Sequence, residues 1–528
     1  MSGRTMYDPS DIRTVADIPR AQARLRPDAI ALECEGRRIT YAELERRANQ
    51  CANALIDAGV RPGDRVACLA KNNEHFYVYW LGAAKARACL APVNWRLAPP
   101  EVAFILRDAD ARLLICGQEM ADVVDMVVSD CPDLHRLIQF EAGHPRWPSF
   151  DDWIGAYPDT DPGLALEPDD DVIQLYTSGT TGLPKGVQLT EANFQALFKG
   201  AVEAGWADFD PAKTVLVAMP LFHVAGTNTG LLGLLQGARN VVLPEIVPAQ
   251  LLKLLEAQQI AYAFLVPAVI NMLLHTPGVE STDFSRLERI FYGASPIAED
   301  VLLRAADRFQ ATFTQLYGLT ETIGAGAVLR PADHDPAKGK LRACGLPWPG
   351  VELRVVRPDG VVAEAGEVGE IQIRSKAVMK GYWNRPEATH EAITPEGWFR
   401  SGDAGFFDAD GYLYIHDRVK DMIVTGGENV YPAEVENALF SHAAVADAAV
   451  IGVPDPKWGE AVKAMVVLQP GHHVAPDILI AHCRERIAGF KCPKSIEFVN
   501  VLPRNPSGKV LRRELRAPYW SGRDRQVG

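Results

Sequence analysis

From Thr40 to Gly117 the chain alternates helical segments with short apolar ones, and this rhythm narrows the available folds more than any other feature. Thr40-Tyr41-Ala42-Glu43 is a capping box, with Leu44, Ala48, Cys51 and Leu55 at helical spacing and Gly59 where the helix should stop. "RVACLA" (Arg65 to Ala70) reads as a strand, a helix follows from about His75, and "CLAPVN" (Cys89 to Asn94) is a second strand. Pro99 and Pro100 open the helix "EVAFILRDAD", and "RLLICG" is a third strand. Strands separated by helices imply a largely parallel sheet with helices on its faces. The pattern resumes at Val172 as strand, glycine-rich loop and a helix over about 191–204.

The texture changes after Leu341. "VELRVVRPDG", "GEIQIRS" and "GYLYIHDR" alternate apolar and polar residues between Gly and Asp-Gly turns, the pattern of a small antiparallel, β-barrel-like unit. Beyond it, "PAEVENALF" starts a helix at its proline, "VADAAVIGVPD" and "EAVKAMVVL" read as strands, and "DILIAHCRERIAG" as a helix. The fold class is therefore α/β: a large N-terminal domain over residues 1–417, then a small α+β C-terminal domain over residues 418–528. A chain of 528 residues is too long for one hydrophobic core.

The net charge of −13, with no basic run, argues against nucleic-acid binding and requires that cations for anionic ligands be placed locally. Cysteines 34, 51, 68, 89, 116, 131, 344, 483 and 492 form no CxxC pair and no zinc spacing, so they read as free thiols of a reducing compartment. "MSGRTMYDPSDIRTV" has no apolar signal core and "SGRDRQVG" no lipidation tail, so the expectation is a cytoplasmic protein. Val215 to Ala238 carries no formal charge, but Pro220, His223, Asn228, Gln236 and its glycines favour a buried strand, loop and helix over a membrane span.

Chemistry concentrates first in "YTSGTTGLPKG", Tyr176 to Gly186. A Walker loop needs GxxxxGK followed by Ser or Thr, whereas Lys185 follows a proline and precedes a glycine. Glycines still let backbone N–H groups approach an anion, hydroxyls add donors, and lysine supplies a point charge. Taken alone, such a segment is as readily a polar turn. "YGLTET" then sets Glu321 among hydroxyls and "GWFRSGDAG" places Asp403 in a glycine-bounded turn. "HDRVKDMIVTGGENVYPAEVE" combines Arg418, Lys420, Gly426 and Gly427, and "PRNPSGKVLRRELR" carries Lys509.

In this order and spacing the motifs resemble those of the AMP-forming acyl-CoA synthetases of the adenylate-forming superfamily, from about Asp28 to Arg516. Two departures are mild: Gln174 replaces a more usual apolar residue, and Ser295 a frequent alanine. The resemblance implies a two-step reaction. A carboxylate attacks the α-phosphorus of Mg·ATP, giving acyl-adenylate and pyrophosphate. The thiol of coenzyme A then displaces AMP, with the mobile C-terminal domain rotating about a hinge near Lys420.

The same resemblance assigns roles. Thr177, Ser178, Gly179, Thr180, Thr181, Gly182 and Lys185 cradle the departing pyrophosphate. Glu321 suits Mg²⁺, with Thr177 as a second contact. Gly293, Ala294, Ser295, Tyr317 and Gly318 face adenine, and Thr320 donates to the α-phosphate. Asp403 and Arg418 hold the ribose hydroxyls. Lys509 bridges the carboxylate and the α-phosphate, although most lysines are simply surface residues. His223 is either a satisfied core histidine or a titrating group beside the acyl carboxylate. Gly426, Gly427 and Glu428 line the pantetheine tunnel, and Lys491 meets a coenzyme A phosphate or is a solvated charge.

The co-substrates implied are ATP, Mg²⁺, coenzyme A and a small carboxylic acid. Homo-oligomerisation is compatible with the sequence but not demanded by it. Gly324 and Gly326 suggest an open pocket behind the reacting centre, lined by Val224, Val266 and Tyr292. Medium- to long-chain fatty acids come first, with cyclic, aromatic or steroid-derived acids as rivals. A luciferase-like or acyl-protein adenylating activity ranks lower. Activation of an amino acid is disfavoured, because Phe222-His223-Val224 contains no acid to receive the ammonium.

Overall fold

The computed structural model describes residues 12–177, 184–206, 208–418, 421–425, 428–505 and 509–521. The expected strands form the middle of a seven-stranded sheet ordered Gly381–Tyr382, Lys185–Thr190, Asp171–Thr177, Cys89–Pro92, Arg65–Leu69, Leu113–Cys116 and Arg136–Gln139. Its inner pairings are parallel, while the Asp171–Thr177 and Lys185–Thr190 strands form an antiparallel hairpin at one side. The inner strands are buried at every residue, as strands covered on both faces must be. Thr40 caps the Tyr41–Asp57 helix by accepting from the Glu43 amide, and Gly59 follows with a positive φ of 85°.

A second, nine-stranded sheet contains the parallel strands Thr214–Val217, Ile260–Phe264, Arg289–Gly293 and Thr312–Tyr317. The uncharged stretch enters it as the Thr214–Val217 strand and the Val224–Gln236 helix. At 13 residues this helix is roughly 20 Å long, short of a bilayer core. Among the described residues no helix is long and apolar enough to cross a membrane.

The third sheet is an antiparallel half-barrel of Val351–Val356, Gly369–Ser375, Phe399–Phe407 and Leu413–Arg418. It corrects one reading. Asp403 lies inside a nine-residue strand, not in a glycine-bounded turn. Gly402 has a φ of 68°, and the register shifts between Ala404 and Gly405, so the glycines accommodate an irregular strand rather than end it.

Buried members of the large core end at Leu413, and a second core begins at Ile423. That core lies between the Pro432–Phe440 and Pro476–Arg484 helices and a sheet built on the long Val445–Asp455 and Gly459–Leu468 hairpin. Polar contacts join it to the Pro267–Leu274 region: Asn271 Nδ2 donates to Ala446 O at 3.4 Å, and His275 Nε2 lies 3.3 Å from Gln469 Nε2. All nine cysteines are buried and unbridged, as expected for free thiols.

Candidate active site

The site gathers where parallel strands of the second sheet end beside the hairpin edge of the first. Thr177 and Lys185 face each other as the last described pair of that hairpin. Ser178, Gly179, Thr180, Thr181 and Gly182 lie outside the described residues, as do Lys420, Gly426 and Gly427. The Lys185 ammonium sits 5.0 Å from the ring centroid of Tyr382. Tyr382 pairs with Val187 in the sheet, and its hydroxyl donates to Glu321 Oε1 at 2.9 Å.

Glu321 is carried on the single helical turn Thr320–Thr322, which directly follows the Thr312–Tyr317 strand. The Met379 amide donates to Glu321 O at 2.7 Å, and the Leu319 amide to Thr322 Oγ1 at 3.1 Å. The chain then doubles back so closely that a Cβ on Gly318 would stand 2.2 Å from Gly324 O. Only glycine fits there.

On the same strand, Tyr317 donates its hydroxyl to Asp403 Oδ2 at 3.0 Å, and both residues are buried. Burial, reinforced by the Asp403 charge, pushes the Tyr317 phenol well above its usual range, so it remains a donor at working pH. Ser401 Oγ receives the Asp403 amide at 3.0 Å. Arg418 stands opposite Asp403 in the strand register. Gly293 pairs with Leu316 on the neighbouring strand, where a Cβ would meet Leu316 O at 2.2 Å. Exposed Ala294, at φ 66°, and half-buried Ser295 then leave the sheet beside Tyr317.

His223 is the N-cap residue of the Val224–Gln236 helix, which packs on the Glu321 turn through Asn228 Nδ2 donating to Ile323 O at 2.8 Å. Its Nε2 is buried with no hydrogen-bond partner, and its ring lies 4.7 Å from that of Phe222. Burial, with a contribution from Arg96, lowers its pKa to about 4. The imidazole is therefore neutral near pH 7, which corrects the expectation of a group titrating at working pH.

The pocket expectation also changes. A Cβ on Gly326 would meet Tyr317 O at 2.5 Å, so close backbone approach demands that glycine and no open space lies there. A Cβ on Gly324 would be in ordinary contact with Val224 and Asn228, at 3.7 and 3.8 Å. Tyr292 is fully buried and its hydroxyl lies 3.0 Å from His334 Nε2. It belongs to the core, as does Val266.

The second core carries the remaining candidates. Asn505 Oδ1 accepts from the Lys509 amide and Lys509 O from the Asn505 amide, both at 2.8 Å, while Arg504 is paired with Asp447. Lys491 Nζ lies 2.8 and 2.9 Å from the two Glu434 oxygens, an ion pair in place of the solvated charge. Glu428 pairs with Thr425 in a short strand.

Two features escaped the sequence reading. Tyr382 is one; its only signal is a tandem aromatic pair after Gly381. The other is a polar network beneath the hairpin. Fully buried Gln174 accepts from Arg65 Nε and donates to the Tyr176 hydroxyl, both at 3.0 Å, and Tyr176 donates to Asp108 at 2.9 Å. The departure at Gln174 is therefore a structural bridge between Arg65 and Tyr176.

Comparison with known proteins gives this geometry its class. The AMP-binding enzyme family matches residues 19–383, and the AMP-binding enzyme C-terminal domain matches residues 434–509. The chain belongs to this family, the AMP-forming acyl-CoA synthetases of the adenylate-forming superfamily. It is 41% identical to the fatty acid–[acyl-carrier-protein] ligase ScoC of Streptomyces coeruleorubidus, covering 98% of each chain. It is 40% identical to a feruloyl-CoA synthase of an Amycolatopsis species, over 95% of this chain and 98% of that one. A solved anthranilate CoA ligase, AuaEII, in complex with anthranoyl-AMP superposes with a TM-score of 0.89 at 28% identity, covering 97% of this chain and 99% of the other.

Proposed function

We propose that this enzyme joins a carboxylic acid to AMP and then to the thiol of coenzyme A. The observation that carries the reading is the meeting of Glu321 and Lys185 at Tyr382, on the turn that follows the Tyr317–Asp403 pair. A carboxylate and a cation are thereby set beside buried acceptors, as a magnesium–nucleotide substrate requires. Among the described residues no three metal-ligating side chains cluster. That suits Mg²⁺ arriving with ATP, since it takes few carboxylates and completes its shell with phosphate and water.

In the first step the acid's oxygen bonds to the α-phosphorus and the bond to pyrophosphate breaks. Glu321, with Thr177, receives the magnesium of the substrate, while Thr320 donates to the α-phosphate. Lys185 and the Thr177–Gly182 loop offset the charge of the leaving pyrophosphate. Tyr317 and the Gly293–Ser295 edge hold adenine, and Asp403 with Arg418 holds the ribose. Lys509 bridges the two anions. In the second step the thiol sulfur attacks the acyl carbon, AMP leaves, and the thiol proton passes to solvent. Neutral His223 lines the acyl end as a hydrogen-bonding wall, with Gly426, Gly427 and Glu428 along the thiol path. Lys491 would reach a phosphate only by giving up Glu434. The chain divides for this purpose into residues 1–417 and 418–528, pivoting near Lys420.

The favoured acid is a medium- to long-chain fatty acid, with an aromatic acid second; the names of the fatty acid and feruloyl relatives support this pair. The carrier-protein relative also supports a protein-bound pantetheine thiol as an alternative acceptor. ATP–pyrophosphate exchange across a panel of fatty and aromatic acids tests the first step. Product analysis with coenzyme A or a pantetheinylated carrier protein then identifies the acceptor. Failure of every acid to support exchange would overturn the proposal.

A further inference from the structure

Tyr382 touches both charged groups proposed to handle Mg·ATP. Its backbone is pinned on the hairpin edge: Tyr382 pairs with Val187, its amide donates to Thr389 Oγ1 at 2.9 Å, and the Trp383 amide donates to Gly186 O at 2.8 Å. Successive residues of an extended segment point to opposite faces. Trp383 accordingly turns away from Glu321 and stacks under the Arg65 guanidinium, 3.4 Å from the ring centroid. Arg65 is itself held by Gln174 and Asp171, two strands away in the same sheet. Tyr382 is thus a fixed side chain on a braced edge, not a surface aromatic.

We propose that Tyr382 is a positioning residue for the magnesium–nucleotide substrate, acting through its two ends. The hydroxyl, 2.9 Å from Glu321 Oε1, orients the carboxylate. A neutral donor does so without cancelling the charge that attracts a cation. The ring face, 5.0 Å from Lys185 Nζ, holds the ammonium at the mouth of the hairpin. A ring quadrupole attracts an ammonium more weakly than a phosphate does, so Lys185 transfers to the polyphosphate when it arrives. One residue therefore sets the metal ligand and the phosphate cation at a fixed separation. The inference rests on the roles proposed for Glu321 and Lys185.

The two ends can be removed separately. Tyr382→Phe deletes the hydroxyl and keeps the ring; Tyr382→Leu deletes both. ATP binding to the full-length protein is measured by calorimetry, once with saturating Mg²⁺ and once with EDTA. Tyr382→Phe should weaken Mg·ATP binding by at least about 10-fold and leave metal-free ATP binding within about twofold. Tyr382→Leu should weaken both. A Tyr382→Phe protein that binds Mg·ATP like the wild type, or loses both affinities equally, overturns the proposal. If Tyr382→Leu fails to fold, the Tyr382→Phe result still decides. Because binding is read without any acid, a failure of acid-dependent exchange in the wild type would sink the adenylation reading and still leave the role of Tyr382 judged by binding.

Discussion

The Glu321–Tyr382–Lys185 edge and the residues flanking Lys509 carry charge for the same proposed reaction, yet they are built in opposite ways. The first is tied into two sheets of the large core by side-chain and backbone hydrogen bonds, from Met379 to Glu321 and from Trp383 to Gly186. The second is held by the reciprocal Asn505–Lys509 hydrogen bonds, next to Val510, which packs on a small cluster of Ala449, Met465 and Leu502 separate from the large core. Under the proposed roles, the difference separates binding from reaction. The groups proposed to hold the nucleotide are fixed by strands, whereas Lys509, proposed to meet the bond being made, stands in another packing unit.

The largest expected effect comes from Lys509→Ala. Acid-dependent ATP–pyrophosphate exchange should fall at least about 100-fold while ATP affinity stays near that of the wild type. Loss of ATP affinity on the same scale would erase the distinction between the regions. Next is Asp403→Asn, which removes a charge-assisted acceptor from the fixed region. The KM for ATP should rise about 10-fold, and Tyr317→Phe should cost less. An ATP titration of both variants checks the order.

His223 sharpens the comparison through pH. With its pKa lowered to about 4, the exchange rate should show no ionisation of this residue between pH 6 and 9, and wild-type and His223→Gln profiles should keep the same shape. The ordinary histidine pKa is about 6.5, so as pH falls from there towards 4 the unfolded chain takes up a proton that the folded site refuses. Stability is lost over that window, by about 1–3 kcal/mol, and denaturant melts should show His223→Gln losing less.

Glu191 lies in neither region and serves as the control. Its buried carboxyl accepts from the Val15 amide at 2.8 Å, and burial raises its pKa to about 8. The stability it contributes is present below its ordinary range near 4.5 and is lost as pH rises through about 8. Glu191→Gln should therefore raise the Tm by a few degrees above pH 8, with little change near pH 5 and no change in exchange rate.

Much of this arrangement was legible in sequence. "RVACLA" became the Arg65–Leu69 strand, and the helix expected over 191–204 runs Glu191–Ala204. Long apolar or periodic segments reveal themselves because burial imposes their pattern. Asp403 was misread because Gly402 and Gly405, which resemble turn signals, serve a strand: Gly405 sits where a Cβ would meet Tyr414 O at 2.3 Å. Gly326 misled for a related reason, since a missing side chain reports either empty space or close backbone approach, and here it reports the second. Tyr382 lies in a two-residue strand, too short for any periodicity. The neutrality of His223 depends on burial that no local pattern encodes.

The proposed roles assign nucleotide holding and bond making to different packing units. That assignment is tested most directly by giving the Lys509→Ala protein a preformed acyl-adenylate and coenzyme A in a single turnover. Thioester should form within about threefold of the wild type, beside the collapse of pyrophosphate exchange. Equal loss of both half-reactions would contradict it.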